Sequence, residues 1–111
     1  MTRSETIARL NDAARKLRWG SNCRLVQTVG ISALPVLTQS VIRERVATFD
    51  QFTKDNDPYG EHDFGSFDCC DGVGVYWKID YYDRALEYGS EDPADPEKTT
   101  RVLTIMLREE Y

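Results

Sequence analysis

The chain has a single histidine, and none of its three cysteines forms a Cys-x-x-Cys pair. A structural zinc site needs four closed ligands, commonly anchored by such a pair, so His62 with Cys23, Cys69 and Cys70 is a poor zinc set. There is no Gly-x-Ser-x-Gly elbow, no Gly-x-Gly-x-x-Gly turn and no P-loop. Serine-hydrolase and nucleotide-cradling chemistry therefore lack a carrier. No apolar run approaches the roughly 20 residues of a membrane-spanning helix. The opening MTRSETIARLNDAARKL also lacks the apolar centre of a secretory signal. A cytoplasmic location with reduced thiols is the expectation, and a bridge from Cys23 to Cys69 or Cys70 is not needed. On a strand, the consecutive Cys69 and Cys70 would point to opposite faces.

What is present fits one folded unit. A chain of 111 residues with 41% hydrophobic and 30% charged side chains can bury a single core, so residues 1–111 read as one domain. The charge is unevenly laid out. Residues 1–49 carry eight Lys/Arg against three Asp/Glu, while residues 50–97 carry three against fourteen. With three against two in residues 98–111, the sum is the net −5. An asymmetry of this size bears on partners rather than on fold.

The expected element order is α-β-α-β-β-β. Residues 4–17 predict a helix capped by Ser4 and stopped by Gly20, with Ile7, Leu10, Ala14 and Leu17 on its apolar face and Arg9, Arg15 and Lys16 mainly off it. CRLVQTVGI, from Cys23, predicts a strand ending at Gly30. Pro35 opens a second predicted helix reaching Phe52, with Leu37, Val41, Ile42, Val46, Phe49 and Phe52 as its stripe and Arg43 and Glu44 in water. Residues 62–70 and 73–82 flank Asp71–Gly72, a strong hairpin signal. In the second of these strands Val73, Val75, Trp77, Ile79 and Tyr81 alternate with Tyr76, Lys78, Asp80 and Tyr82, and the first set is the core face. YGSEDPADPEK, residues 88–98, predicts a surface connection, and residues 101–108 a final strand with Leu103, Ile105 and Leu107 on one face. The fold class is α+β, with two helices packed on a small, mostly antiparallel sheet of about four strands.

NDPYGEHDFG (56–65), WKIDYYD (77–83) and the closing SEDPADPEKTTRVLTIMLREEY resemble an uncharacterised bacterial family classed as a domain of unknown function. The resemblance spans most of the chain and implies a setting on plasmids and other mobile elements. It brings no activity, cofactor or catalytic residue with it.

The densest chemistry lies in DNDPYGEHDFGSF, where His62 sits among Asp55, Asp57, Glu61 and Asp63. Asp55, Asp57 and Gly60 occupy calcium-loop positions one, three and six, but Tyr59 stands at the fifth and Ser66 at the twelfth, where a bidentate Glu is required. Asn56, Asp57 and Pro58 are turn formers instead, and no metal or other cofactor is expected. An acid–base site centred on His62 would draw on Glu61, Asp63 and Asp80. On an extended segment, however, Glu61 and Asp63 project away from His62. Arg3, Arg9, Arg15, Lys16, Arg18 and Arg24 beside Trp19 could contact a phosphate backbone, but the acidic half would repel it, so direct nucleic-acid binding is not expected.

The acidic half supports a different expectation, a non-enzymatic module that binds a basic protein surface. Asp57, Tyr59, Glu61, Tyr76, Tyr82, Asp83, Glu87, Tyr88, Glu91, Asp92 and Asp95 are the candidate contacts. Carboxylates steer the encounter and tyrosines anchor it. Joined to the mobile-element setting, this becomes an inhibitor of a host nucleic-acid-handling or defence complex acting by phosphate mimicry. The alternatives are a small hydrolase or nuclease-like enzyme on His62 and its carboxylates, with a divalent ion, and a self-associating accessory protein whose basic helix docks on another copy's acidic half.

Overall fold

The computed structural model describes residues 1–16 and 22–111. The predicted helix stop at Gly20, and the suggested roles of Leu17, Arg18 and Trp19, lie outside the described residues. Helix α1 spans Arg3–Arg15. Its cap is Thr2 rather than Ser4: the Thr2 hydroxyl accepts from the Glu5 N–H, and the Glu5 carboxylate accepts from the Thr2 N–H. This reciprocal box satisfies two otherwise orphaned donors.

Strand β1, Cys23–Gln27, is shorter than the β-branched run suggested. Residues Val29–Ser32 turn into a single helical turn, α2. The cause is at the other end of the chain. The Glu110 carboxylate accepts from Thr28 Oγ1 at 2.6 Å, Leu107 N at 2.8 Å and Gly30 N at 3.1 Å, which draws the segment away from the sheet. These bonds, the one from Thr28 foremost, hold its carboxyl below the usual carboxylate range.

Helix α3, Val36–Thr48, follows Pro35. Its buried face is narrower than the predicted stripe: Ile42 and Val46 are buried, whereas Leu37 is 81% exposed and Val41 is also exposed. On the turn before Ile42, Gln39 fills the inward position, and its amide donates to the carbonyls of Leu34 and Ser32. Phe49 and Phe52 lie past the helix end and pack edge-on against Trp77.

Strands β2 (Phe64–Asp68), β3 (Gly74–Tyr82) and β4 (Thr100–Leu107) complete a four-stranded sheet of order β1-β4-β3-β2. The β2–β3 and β3–β4 pairs are antiparallel and β1–β4 is parallel, so the sheet is mixed within the expected α+β class. The β2–β3 connection turns at Asp71 (φ 59°) and Gly72 (φ 73°), the two positive φ values of a type I′ turn. Alternation along β3 holds, with Val75, Trp77 and Ile79 buried against Leu103 and Ile105 of β4, Ile42 and Val46 of α3, and Ile31 of α2. Each such aliphatic side chain contributes about 1.5–3 kcal/mol on burial. Gly65 pairs with Trp77, and a Cβ there would collide with the indole ring, so glycine is what admits the indole against β2. The opposite sheet face carries Phe64, Tyr76 and Tyr111 as an edge-to-face cluster. No helix among the described residues is long and apolar enough to cross a membrane.

Candidate functional site

One face of α1 carries Asn11, Asp12 and Arg15, and these three residues organise the acidic end of the molecule. Arg15 is not off the apolar face but buried. Its guanidinium donates to the carbonyls of Val46 at 2.7 Å and Phe49 at 3.0 Å, at the C-terminal end of α3, and to Asp12 at 2.6 Å. It also lies over the rings of Trp77 and Phe52.

Asp12 passes this order on to His62. Its carboxylate is 3.0 Å from His62 Nδ1. A carboxylate can only accept, so Nδ1 donates. The imidazole stacks on Phe52 at 4.0 Å between centroids. His62 has φ 57°, a left-handed conformation that costs a side-chain-bearing residue about 1–2 kcal/mol. The buried Asp57 carboxylate sustains it by accepting from the N–H groups of Glu61 at 3.1 Å and His62 at 3.2 Å. Asp57 Oδ2 then stands 3.8 Å from His62 Nε2. Both ring nitrogens thus face carboxylates of the protein, and His62 latches the 53–63 loop onto α1. An open hollow of about 560 Å³, lined by Lys16, Thr48, Asp50 and Phe52 among others, lies beside it.

The predicted acid–base partners do not gather around His62. The Glu61 carboxylate accepts from the Tyr81 hydroxyl at 3.3 Å. Asp80 pairs with Lys78 at 2.9 Å on the sheet face opposite α1. The partners that do approach, Asp12 and Asp57, are set by tertiary packing, fifty residues away in the case of Asp12. Among the described residues, no group of three or more His, Cys, Asp or Glu side chains is arranged to hold a metal ion.

Asp63 has a different character. Burial, followed by the nearby charges of Glu61, Asp57 and Asp80, pushes its carboxyl above the usual range. A carboxyl raised on folding binds its proton more tightly in the native state. It therefore favours folding at acid pH and loses that advantage as pH rises through the carboxylate range. Asp63→Asn should accordingly match the wild type in acid and exceed it in stability at neutral pH. Urea unfolding of both proteins across that range measures the difference, and equal stability at every pH would contradict it.

A second clamp, buried at its Arg101–Asn11 centre and half-buried at its ends, joins the acidic segments to the scaffold. Arg101 Nε donates to Asn11 Oδ1 at 2.6 Å, and Asn11 Nδ2 donates to Tyr81 Oη at 2.8 Å and to the Glu61 carbonyl at 2.9 Å. Arg101 Nη2 reaches the carbonyl of Pro93. Burial pushes the Tyr81 hydroxyl above its ordinary range and the Arg101 guanidinium below its own. Sequence reasoning missed Asn11, Asp12, Arg15 and Arg101 as site-building residues.

The family model described as Protein of unknown function (DUF3768) matches residues 27–110. The chain belongs to this family. No curated protein and no solved structure matches it. The expected membership in a family of unknown function therefore holds. In this DUF3768 chain the matched span begins at the last residue of β1 and ends in the C-terminal turn. Helix α1 lies outside it, so the Asn11 and Asp12 contacts tie the matched span to a segment that precedes it.

Of the predicted contact residues of the DUF3768 chain, Asp57 is buried within its own loop and unavailable to a partner, and the others occupy two regions. Tyr59 (79% exposed) and Tyr88 (73% exposed) stand free on the loops, and Tyr82 is partly exposed. Tyr76 is elsewhere, packed between Phe64 and Tyr111 on the open sheet face. Several of the aspartates are turn builders. Asp83 accepts from Glu87 N, Asp92 from Ala94 N and Asp95 from Glu97 N. Asp92 also pairs with Arg3, and Glu91 with Lys98. Among the basic residues read as a phosphate-binding set, Arg15 is committed to the interior and Arg3 to Asp92.

Proposed function

We propose that this protein is a non-enzymatic binding module whose acidic end engages a basic protein surface. One observation carries the reading. β2 begins beside the end of β3, so the 50–63 segment and the 80–97 segment meet at one end of the sheet. Twelve of the fourteen carboxylates of residues 50–97 belong to these two segments, and only Asp68 and Asp71 lie outside them. Asp50, Asp55, Glu61, Asp63, Asp83, Glu87, Asp95 and Glu97 have no cationic partner within 4.0 Å among the described residues. Tyr59, Tyr82 and Tyr88 supply exposed aromatic anchors on the same segments. In its concrete form the module is a mobile-element inhibitor that occupies the basic groove of a nucleic-acid-handling or defence complex in place of phosphate. Long-range steering then makes its affinity strongly dependent on salt.

Partner capture from a bacterial lysate at low salt, followed by elution with rising salt, tests the reading. Glu87, Glu91 and Glu97 are suitable positions for neutralisation because their carboxylates cap no turn, unlike those of Asp83, Asp92 and Asp95. The triple Glu→Gln variant should bind the captured partner at least about tenfold more weakly, a change of roughly 1.4 kcal/mol, with a flatter salt response. A wild-type affinity that stays constant from low to high salt would contradict the proposal.

A further inference from the structure

Cys69 and Cys70 do not point to opposite faces. They lie just past β2, where the chain leaves the sheet and enters the Cys70–Val73 turn, and their Sγ atoms are 3.4 Å apart. All three cysteines are free thiols. Cys69 is buried in the core cluster, and its N–H closes the hairpin onto Val73 O at 2.7 Å, whereas Cys70 is exposed. Arg45 stands beside the pair, donating to the Asp68 carbonyl and lying over the Phe67 ring. Burial pushes the Cys69 thiol up, which leaves the exposed neighbour as the group that meets an oxidant. Cys23 starts β1 opposite Arg101, at the far end of the sheet from this turn, and is not a partner.

We propose that Cys69 and Cys70 form a reversible redox modification site, oxidised by hydrogen peroxide to an intrachain disulfide. Cys70 sulfur attacks one peroxide oxygen and the O–O bond breaks. Cys70 becomes a sulfenic acid, and the other oxygen leaves as water after taking the thiol proton. Cys69 sulfur then attacks Cys70 sulfur. The S–S bond forms, the S–O bond breaks, and a second water carries away the Cys69 proton. Two thiols are thereby oxidised by two electrons as one peroxide is reduced to water. Neighbouring Cα atoms are only about 3.8 Å apart, below the roughly 4.4–6.8 Å of ordinary disulfides, so the bond is strained and readily reduced by dithiols. Such a bond serves as a switch rather than a staple.

The test exposes the full chain to hydrogen peroxide, alkylates it under denaturing conditions, and determines its mass and peptide map. The expected product is a monomer that has lost two hydrogens, confined to the peptide bearing Cys69 and Cys70 and restored by dithiothreitol. Cys23→Ser should behave as the wild type. Cys69→Ser should halt at a Cys70 sulfenic acid trapped by dimedone, and Cys70→Ser, an exposed change, should abolish the two-hydrogen loss. Disulfide-linked dimers as the main product, bridges to Cys23, or an undiminished loss in Cys70→Ser would each overturn the proposal.

Discussion

Replacing Arg15 by alanine should lower the free energy of unfolding by about 3–5 kcal/mol, with roughly 1–3 kcal/mol for each carbonyl left without its donor and the lost packing against Trp77 added to it. The side chain is 3% exposed and serves three structures at once: the end of α3, Asp12, and the indole of Trp77. Without it, the carbonyls of Val46 and Phe49 lose a charge-assisted donor, and a void opens beside Trp77. Asp12 also loses the cation that fixes it toward His62. At this chain length the loss corresponds to a fall in Tm of about 12–20 °C. Arg15→Met separates the contributions. It restores much of the volume but none of the hydrogen bonds, so it should recover the packing share alone. Urea unfolding of the three proteins measures both steps. A loss below about 1 kcal/mol for alanine would mean that desolvating the guanidinium already cancels its bonds.

The elements that could be read from the sequence are those whose cause is local. Asp71–Gly72 requires two positive φ values, and only a few residue types supply them, so the hairpin is visible in the letters. The alternation from Val75 to Tyr81 is visible because a strand's period is fixed by the pleat. Residues 100–107 form a strand, as Val102, Thr104 and Ile105 suggested. What escaped depends on distant partners. β1 stops at Gln27 because Glu110 binds Thr28 and Gly30 some eighty residues away. Leu37 and Val41 match a helical stripe yet face outward, because Gln39 holds the inward position by bonding the preceding loop. The same holds for the site. His62 was visible as the only imidazole, but its partner Asp12 was not, since linear spacing carries no trace of a contact across fifty residues. Arg15 read as a solvated helix residue because its charge outweighed its position, one turn beyond the buried Asn11.

The second large effect should come from Arg101. Arg101→Met removes the donor to the buried Asn11 Oδ1 and to the half-buried Pro93 carbonyl. At about 1–3 kcal/mol for the buried Asn11 acceptor and roughly 1 kcal/mol for the Pro93 carbonyl that water can reach, the expected loss is roughly 2–4 kcal/mol. Arg101→Lys should rescue little, because an ammonium cannot reproduce the Nε and Nη2 fork that engages both acceptors. The effect is also regional. Asn11 holds the Glu61 carbonyl and Tyr81, while Arg101 holds Pro93, so this one clamp secures both acidic segments to α1, β3 and β4. Amide exchange in Arg101→Met should therefore accelerate in residues 57–63 and 83–98 more than in the β2–β3 turn at the other end of the sheet. The two substitutions also separate shape from charge. Arg101→Met makes the protein more acidic by one unit yet loosens the acidic end, so weaker partner binding in this variant would show that carboxylate placement counts beyond total charge. Uniform exchange along the chain would instead mean that each loop is held by its own turn contacts, such as Asp57 to His62 N and Asp83 to Glu87 N.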